Sequence, residues 1–115
     1  MSYVDEYLNG LEVAIRDLSR QDVQAVVDVL LSAWRDDRQI FVIGNGGSAA
    51  DAQHIAAEFV NRYLIERPPL PALALTTDTS ALTSISNDYG PDDVFAKKIQ
   101  ALGRPVDIGI AISTS

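Results

Sequence analysis

The 115-residue chain contains no cysteine and a single histidine. Without cysteine there is no disulfide, no thiolate nucleophile and no sulfur ligand for a metal. With one imidazole, at His54, a second acid-base group or a full metal site needs a complement from elsewhere. No apolar run approaches the roughly 20 residues that span a bilayer. The first residues, MSYVDEYLNG, lack the basic n-region and apolar h-region of a secretory signal, so a cytoplasmic location is expected. Basic clusters are scarce as well. Formal net charge is −7, and Lys97-Lys98 is the one adjacent basic pair. Such a surface repels a polyanion, so direct nucleic-acid binding is not expected. Residues 1–38 hold no basic recognition helix of the helix-turn-helix kind. A small anionic metabolite stays compatible, because backbone N–H groups hold anions whatever the net charge.

What is present is an alternation of periodicities. Tyr7, Leu8, Leu11, Ile15 and Leu18 recur mostly at helical spacing, and Val23, Val26, Val27, Leu30, Leu31 and Trp34 repeat the pattern. Ser19 or Asp22 can cap the second run, which predicts two helices over 4–34 with a joint near Ser19. Gln39 to Ile43 predicts a strand. An alanine-rich helix is expected from Ser48 to Ile65, stopped by Arg67-Pro68-Pro69. Pro71 to Leu75 reads as a second strand. Ser80 to Ser86 reads as a short helix, and Asn87-Asp88-Tyr89-Gly90-Pro91 as a turn. Asp92 to Leu102 predicts a further helix, and Val106 to Ile112 a third strand. Short, nearly continuous apolar strands separated by helices predict an α/β fold with a parallel sheet covered on both faces. The expected spatial order is second, first, third strand, so that the segments after the first and third strands flank a ligand crevice.

The chain stops at Ile112-Ser113-Thr114-Ser115, directly after a strand. Ligands of open α/β sheets bind beyond the carboxyl ends of the strands. The expectation is therefore a longer protein, the alternative being a flank supplied by another chain. The N-terminal helices carry more apolar surface than one small sheet layer needs. Tyr3, Tyr7 and Trp34 are candidate contacts for self-association, and ordinary core positions are the alternative.

The first strand runs into Gly44-Asn45-Gly46-Gly47-Ser48. Glycine permits positive φ and close approach, and the helix start that follows has free N–H groups, which suits an anion or sugar hydroxyls. As a dinucleotide fingerprint it is weak. Its third position falls on Ala49, and the acidic residue sought about 20 residues on falls at a helix end, near Ile65-Glu66. No lysine follows the glycines, so it is not a Walker A loop. A plain strand-to-helix turn is the simpler alternative.

His54 and Glu58 lie four apart on the next helix and share a face, with Asp51 placed to cap or orient the imidazole. Taken alone they are a surface pair worth a few tenths of a kcal/mol. Two side chains also fall short of a tetrahedral metal site. The glycine turn, Asn87-Asp88 and Ser113-Thr114-Ser115 can converge with them at one sheet edge, where hydroxyls and amides suit a phosphate. A partly shielded glutamate beside a sugar suits transfer of the proton alpha to a carbonyl.

Three segments carry a resemblance: GNGGSAADAQHIAAEFVNRY at 44–63, LTTDTSALTSISNDYG at 75–90 and DIGIAISTS at 107–115. Together they resemble the sugar isomerase (SIS) domain, in its phosphoheptose isomerase branch. The resemblance implies a three-layer α/β/α fold with three of five strands present in 39–115. It also implies N-terminal helices over 1–38 that serve oligomerisation, and a homotetramer. A phosphorylated sugar is the implied partner, with neither nucleic acid nor membrane. Asn45, Gly46 and Gly47 match the family's substrate-contacting turn, and Asn87 and Asp88 match a second substrate contact. Ser113, Thr114 and Ser115 match the start of a phosphate loop. Glu58 matches a catalytic acid-base that also contacts substrate, and His54 and Glu58 match zinc ligands of members that use the metal. The implied activity interconverts an aldose and a ketose phosphate, sedoheptulose 7-phosphate and D-glycero-D-manno-heptose 7-phosphate. The alternatives within the fold are a non-catalytic regulator that binds the bacterial replication initiator protein, and a phosphosugar-binding module.

Overall fold

A computed structural model describes residues 1–114. Helix α1 spans Tyr3–Asp17 and α2 spans Arg20–Arg35. The joint falls where the caps predict it, since Ser19 accepts the Asp22 N–H. Ser2 opens α1 in the same way, through a reciprocal capping box with Asp5. Strand β1 (Ile40–Ile43) leads into α3 (Gly47–Val60), followed by β2 (Ala72–Ala74) and α4 (Thr79–Asp88). A 3-10 turn at Pro91–Asp93 precedes α5 (Val94–Leu102), and β3 (Ile108–Ala111) is the last strand described.

The sheet is parallel, in the order β2-β1-β3, as the ligand-crevice rule required. Strand β1 is central and nearly dry. Ile40 and Val42 join Ala33 of α2 and Ala52 and Ala56 of α3 in a buried cluster. Phe41, out of phase by one residue, is also fully buried and points to the opposite side of the sheet. The alanines of α3 bring its backbone close to the sheet, and Gln53 Nε2 donates to Thr76 Oγ1 at 3.1 Å to tie it to the end of β2. Asp107 fastens the other end of the sheet by accepting the Gln39 and Arg104 N–H groups at 3.0 and 2.7 Å.

Strand and helix ends shift by a residue or two from expectation, and two differences move candidate residues. Helix α3 ends at Val60 rather than Ile65. Tyr63, Leu64 and Ile65 form a tight reversal instead, with Leu64 at φ 62° and the Ile65 N–H bonded to the Tyr63 carbonyl at 2.7 Å. Helix α4 runs on to Asp88, so Asn87 and Asp88 stand on its last turn rather than in a loop. The stop comes from Gly90, at φ 118°.

The N-terminal helices are packed very differently from the sheet. Helix α1 buries no residue, and α2 buries Ala33 alone. Tyr3, Tyr7 and Trp34 are 78%, 64% and 40% exposed, which removes the core-position alternative for all three. Among the described residues no helix is long and apolar enough to cross a membrane.

Candidate functional site

The turn after β1 is built on two glycines. A Cβ on Gly44 would stand 2.8 Å from the Ser48 carbonyl oxygen, so the turn can close on the helix only with glycine there. Gly46 caps α3 at φ 60° and ψ −124°, a conformation L side chains rarely adopt. The Asn45 carbonyl accepts the Ser48 N–H, and the Gly46 carbonyl accepts those of Ala49 and Ala50. These bonds use the Ser48, Ala49 and Ala50 N–H groups within the turn itself.

Beyond the carboxyl ends of β1 and β3 lies a cleft of about 270 Å³, lined by Gly44, Asn45, Ser48, Phe95, Ser113 and Thr114, with Ile43, Ala111 and Ile112 behind them. The topology thus brings Gly44 and Asn45 of the glycine turn beside Ser113 and Thr114, two segments far apart in sequence, while Gly46 and Gly47 stand outside the lining. Ser115 lies outside the described residues. Ser48 and Phe95 were not among the residues picked from sequence. Ser48 carried a signal as the first side chain of the helix. Phe95 carried none, because which face of α5 meets the strand ends depends on how that helix packs.

His54 and Glu58 line a different cleft, farther along α3. His54 Nε2 lies 3.3 Å from Glu58 Oε1, with side-chain exposures of 76% and 37%. The partner of the imidazole is thus Glu58, and Asp51 stands exposed on the helix. Ile55, Phe59, Tyr63, Ile65 and Arg67 complete this cleft, which is larger, at about 540 Å³. Arg67 went unnoticed in the sequence because Arg67-Pro68-Pro69 reads as a helix stop. Its guanidinium in fact donates to the Glu58 and Phe59 carbonyls. Asn87 and Asp88 line neither cleft. Asn87 Nδ2 donates to Asp88 Oδ1 at 3.4 Å at the end of α4.

As a metal centre the pair is a half-set. Imidazole nitrogen and carboxylate oxygen on adjacent turns are donors that zinc accepts, and zinc takes four. Among the described residues no group of three or more His, Cys, Asp or Glu is placed to hold a metal. By donor chemistry His54 and Glu58 make up at most two of the four ligands zinc takes.

A family model described as the SIS domain matches residues 2–115. A phosphoheptose isomerase of Nitratidesulfovibrio vulgaris is 69% identical over 99 residues, covering 84% of this chain and 48% of that protein. The solved structure of phosphoheptose isomerase from Neisseria gonorrhoeae superposes with a TM-score of 0.84 at 47% identity, over 98% of this chain and 58% of the other. That of a Francisella tularensis phosphoheptose isomerase gives 0.83 at 33% identity, over all of this chain and 63% of the other. The chain spans about half the length of the curated relatives it matches.

Proposed function

The chain belongs to the SIS domain family, and from that membership we propose that the whole protein is an aldose-ketose isomerase acting on a sugar phosphate. The substrate pair of this reading is sedoheptulose 7-phosphate and D-glycero-D-manno-heptose 7-phosphate, in line with the phosphoheptose isomerases to which the chain is similar. One observation carries it: a single helix, α3, begins at a ligand-ready cleft of amides and hydroxyls and presents a carboxylate paired with an imidazole three turns later.

Each part has a chemical task. Ser113, Thr114 and Ser115 donate to the phosphate. Asn45 and the glycine-turn amides hold sugar hydroxyls; Asn87 and Asp88 would do so only from outside both clefts of their own chain. Glu58 takes the proton alpha to the carbonyl and returns it to the neighbouring carbon, by way of an enediolate. His54 sets the direction of the carboxylate through its 3.3 Å contact. Were zinc bound at His54 and Glu58, it would supply Lewis-acid polarisation of an oxygen.

The turn at Gly47 and Glu58 stand roughly 16 Å apart along the helix axis, at about 1.5 Å per residue. One small ligand does not reach both within a chain. We therefore read the complete site as assembled between copies of the protein, the cleft of one facing Glu58 of another. The exposed apolar faces of α1 and α2, in the 1–38 segment, are the surfaces that hold the copies together. A homotetramer is the assembly this reading expects.

The test is turnover of sedoheptulose 7-phosphate in D2O by the full-length protein, as wild type and Glu58→Gln. Wild type should place solvent deuterium on the carbon alpha to the carbonyl. The variant, which keeps the shape and removes the base, should not. A folded wild type with no turnover would replace the enzyme by the regulator reading. Full turnover by the variant would move the base elsewhere.

A further inference from the structure

The last turn of α3 has no basic residue and no glycine to close it. Its final carbonyls have no amide of their own helix to accept from. Arg67 supplies the missing donors from across the loop. Nη2 donates to the Glu58 carbonyl at 2.6 Å and Nη1 to the Phe59 carbonyl at 2.9 Å, with longer contacts from Nη1 to the Pro68 and Asn61 carbonyls at 3.2 and 3.5 Å. The Phe59 carbonyl also accepts the Leu70 N–H at 3.0 Å. A guanidinium suits this place for two reasons. Its planar fork reaches two successive carbonyls, and its fixed positive charge opposes the negative end of the helix.

The shortest of these bonds falls on the residue whose carboxylate faces the cleft. Glu58 lies two residues before the end of α3, within the turn that frays when its carbonyls lack partners. Arg67 lines the same cleft and thus holds Glu58 by the main chain while its carboxylate stays 3.3 Å from the imidazole. We propose that Arg67 is a positioning residue for Glu58, fixing the carboxylate on the cleft wall through the Glu58 and Phe59 carbonyls. Its kinetic consequence rests on the isomerase reading; its structural part does not. Arg67 moves no proton itself. It acts because a misplacement of about 1 Å at a reacting group costs on the order of 100-fold in rate.

The test uses the full-length protein as wild type, Arg67→Ala, Arg67→Lys, Glu58→Gln and the Arg67→Ala/Glu58→Gln double variant. Arg67→Ala should lower kcat about 100-fold with KM within about 3-fold, since the phosphate is held in the other cleft. Millimolar guanidinium should restore part of that kcat, and equal sodium chloride should not. Arg67→Lys keeps the charge but not the fork, and should lose about 10-fold; it serves if the alanine variant fails to fold. The double variant should be no slower than Glu58→Gln, because a positioning residue has nothing to act on once the base is gone. Wild-type kcat in both Arg67 variants, or losses that multiply in the double variant, would overturn the proposal. Amide exchange decides the matter if wild type itself shows no turnover, a result that counts against the isomerase reading alone. Amides at 58–61 and Leu70 should exchange faster in the Arg67 variants while those of β1 do not. Unchanged exchange at 58–61 would overturn it.

Discussion

The two clefts share α3 and differ in nearly every other respect. The one at the strand ends is lined by Asn45, Ser48, Ser113 and Thr114 beside Gly44, Phe95 and the aliphatic strand ends, with no titratable side chain among the described residues. The one farther along α3 holds an imidazole, a carboxylate and a guanidinium among Ile55, Phe59, Tyr63 and Ile65. Neutral donors on rigid strand ends suit recognition of a charge without exchanging protons with it. Titratable groups against apolar walls suit proton transfer. On the reading proposed above, one cleft holds the ligand and the other changes it, and copies of the protein bring the two together.

Each cleft should then govern its own kinetic constant. Glu58→Gln should give the largest effect, a fall in kcat of about 1,000-fold, within the usual range for a general base, with KM little changed. A KM rise of the same size would mean that Glu58 binds rather than reacts. Removing both hydroxyls in Ser113→Ala/Thr114→Ala should do the reverse. A hydrogen bond to a charged group is worth about 1.5–3 kcal/mol, so KM should rise about 10- to 100-fold while kcat moves only slightly. Gly44→Ala should act on stability, lowering it by about 1–3 kcal/mol because the new Cβ meets the Ser48 backbone at 2.8 Å. Chemical denaturation would show it.

The smallest effect belongs to Asp107, at the amino ends of β1 and β3, away from both clefts. N–H donors from Arg104 and Gln39 hold its carboxyl below the ordinary carboxylate range. A group whose pKa is lowered on folding adds stability above its unfolded pKa and loses it as pH falls through the folded value. Asp107→Asn should therefore be slightly less stable than wild type at pH 7. The gap should close as the solution is acidified below about pH 4, the unfolded carboxylate value. Denaturation midpoints at pH 7 and pH 3 would check the sign. Both kinetic constants should match wild type, which makes this variant the control for the other three.

Much of this was legible in the sequence, for identifiable reasons. The β-branched run at 40–43 reads as a buried parallel strand because it is one, wet on neither face. Ser19 marks the helix joint through a local hydrogen bond that needs no tertiary context. The parallel order β2-β1-β3 followed from the same crevice rule that places the glycine turn beside Ser113 and Thr114. The end of α3 was not legible. Tyr63-Leu64-Ile65 continues an apolar helical pattern, whereas the helix ends at Val60 and its last carbonyls take donors from the Arg67 guanidinium. Asn87 and Asp88 looked like turn residues by type, yet they close a helix that Gly90 terminates two residues on. The separation of the clefts was missed for a third reason. Helical spacing puts His54 and Glu58 on one face, but a sheet-edge argument brings together only what lies at helix starts, and Glu58 is near a helix end.

Helix α1 buries none of its 15 residues. That is close to the length at which an isolated helix is only marginally stable in water, and its capping box adds about 1 kcal/mol at best. Its order thus draws almost nothing from the sheet, and the two parts need not melt together. Anything that binds the folded form of α1 stabilises it by mass action. Helix content in the N-terminal segment should then depend on protein concentration, while the sheet, with its core inside one chain, should not notice dilution.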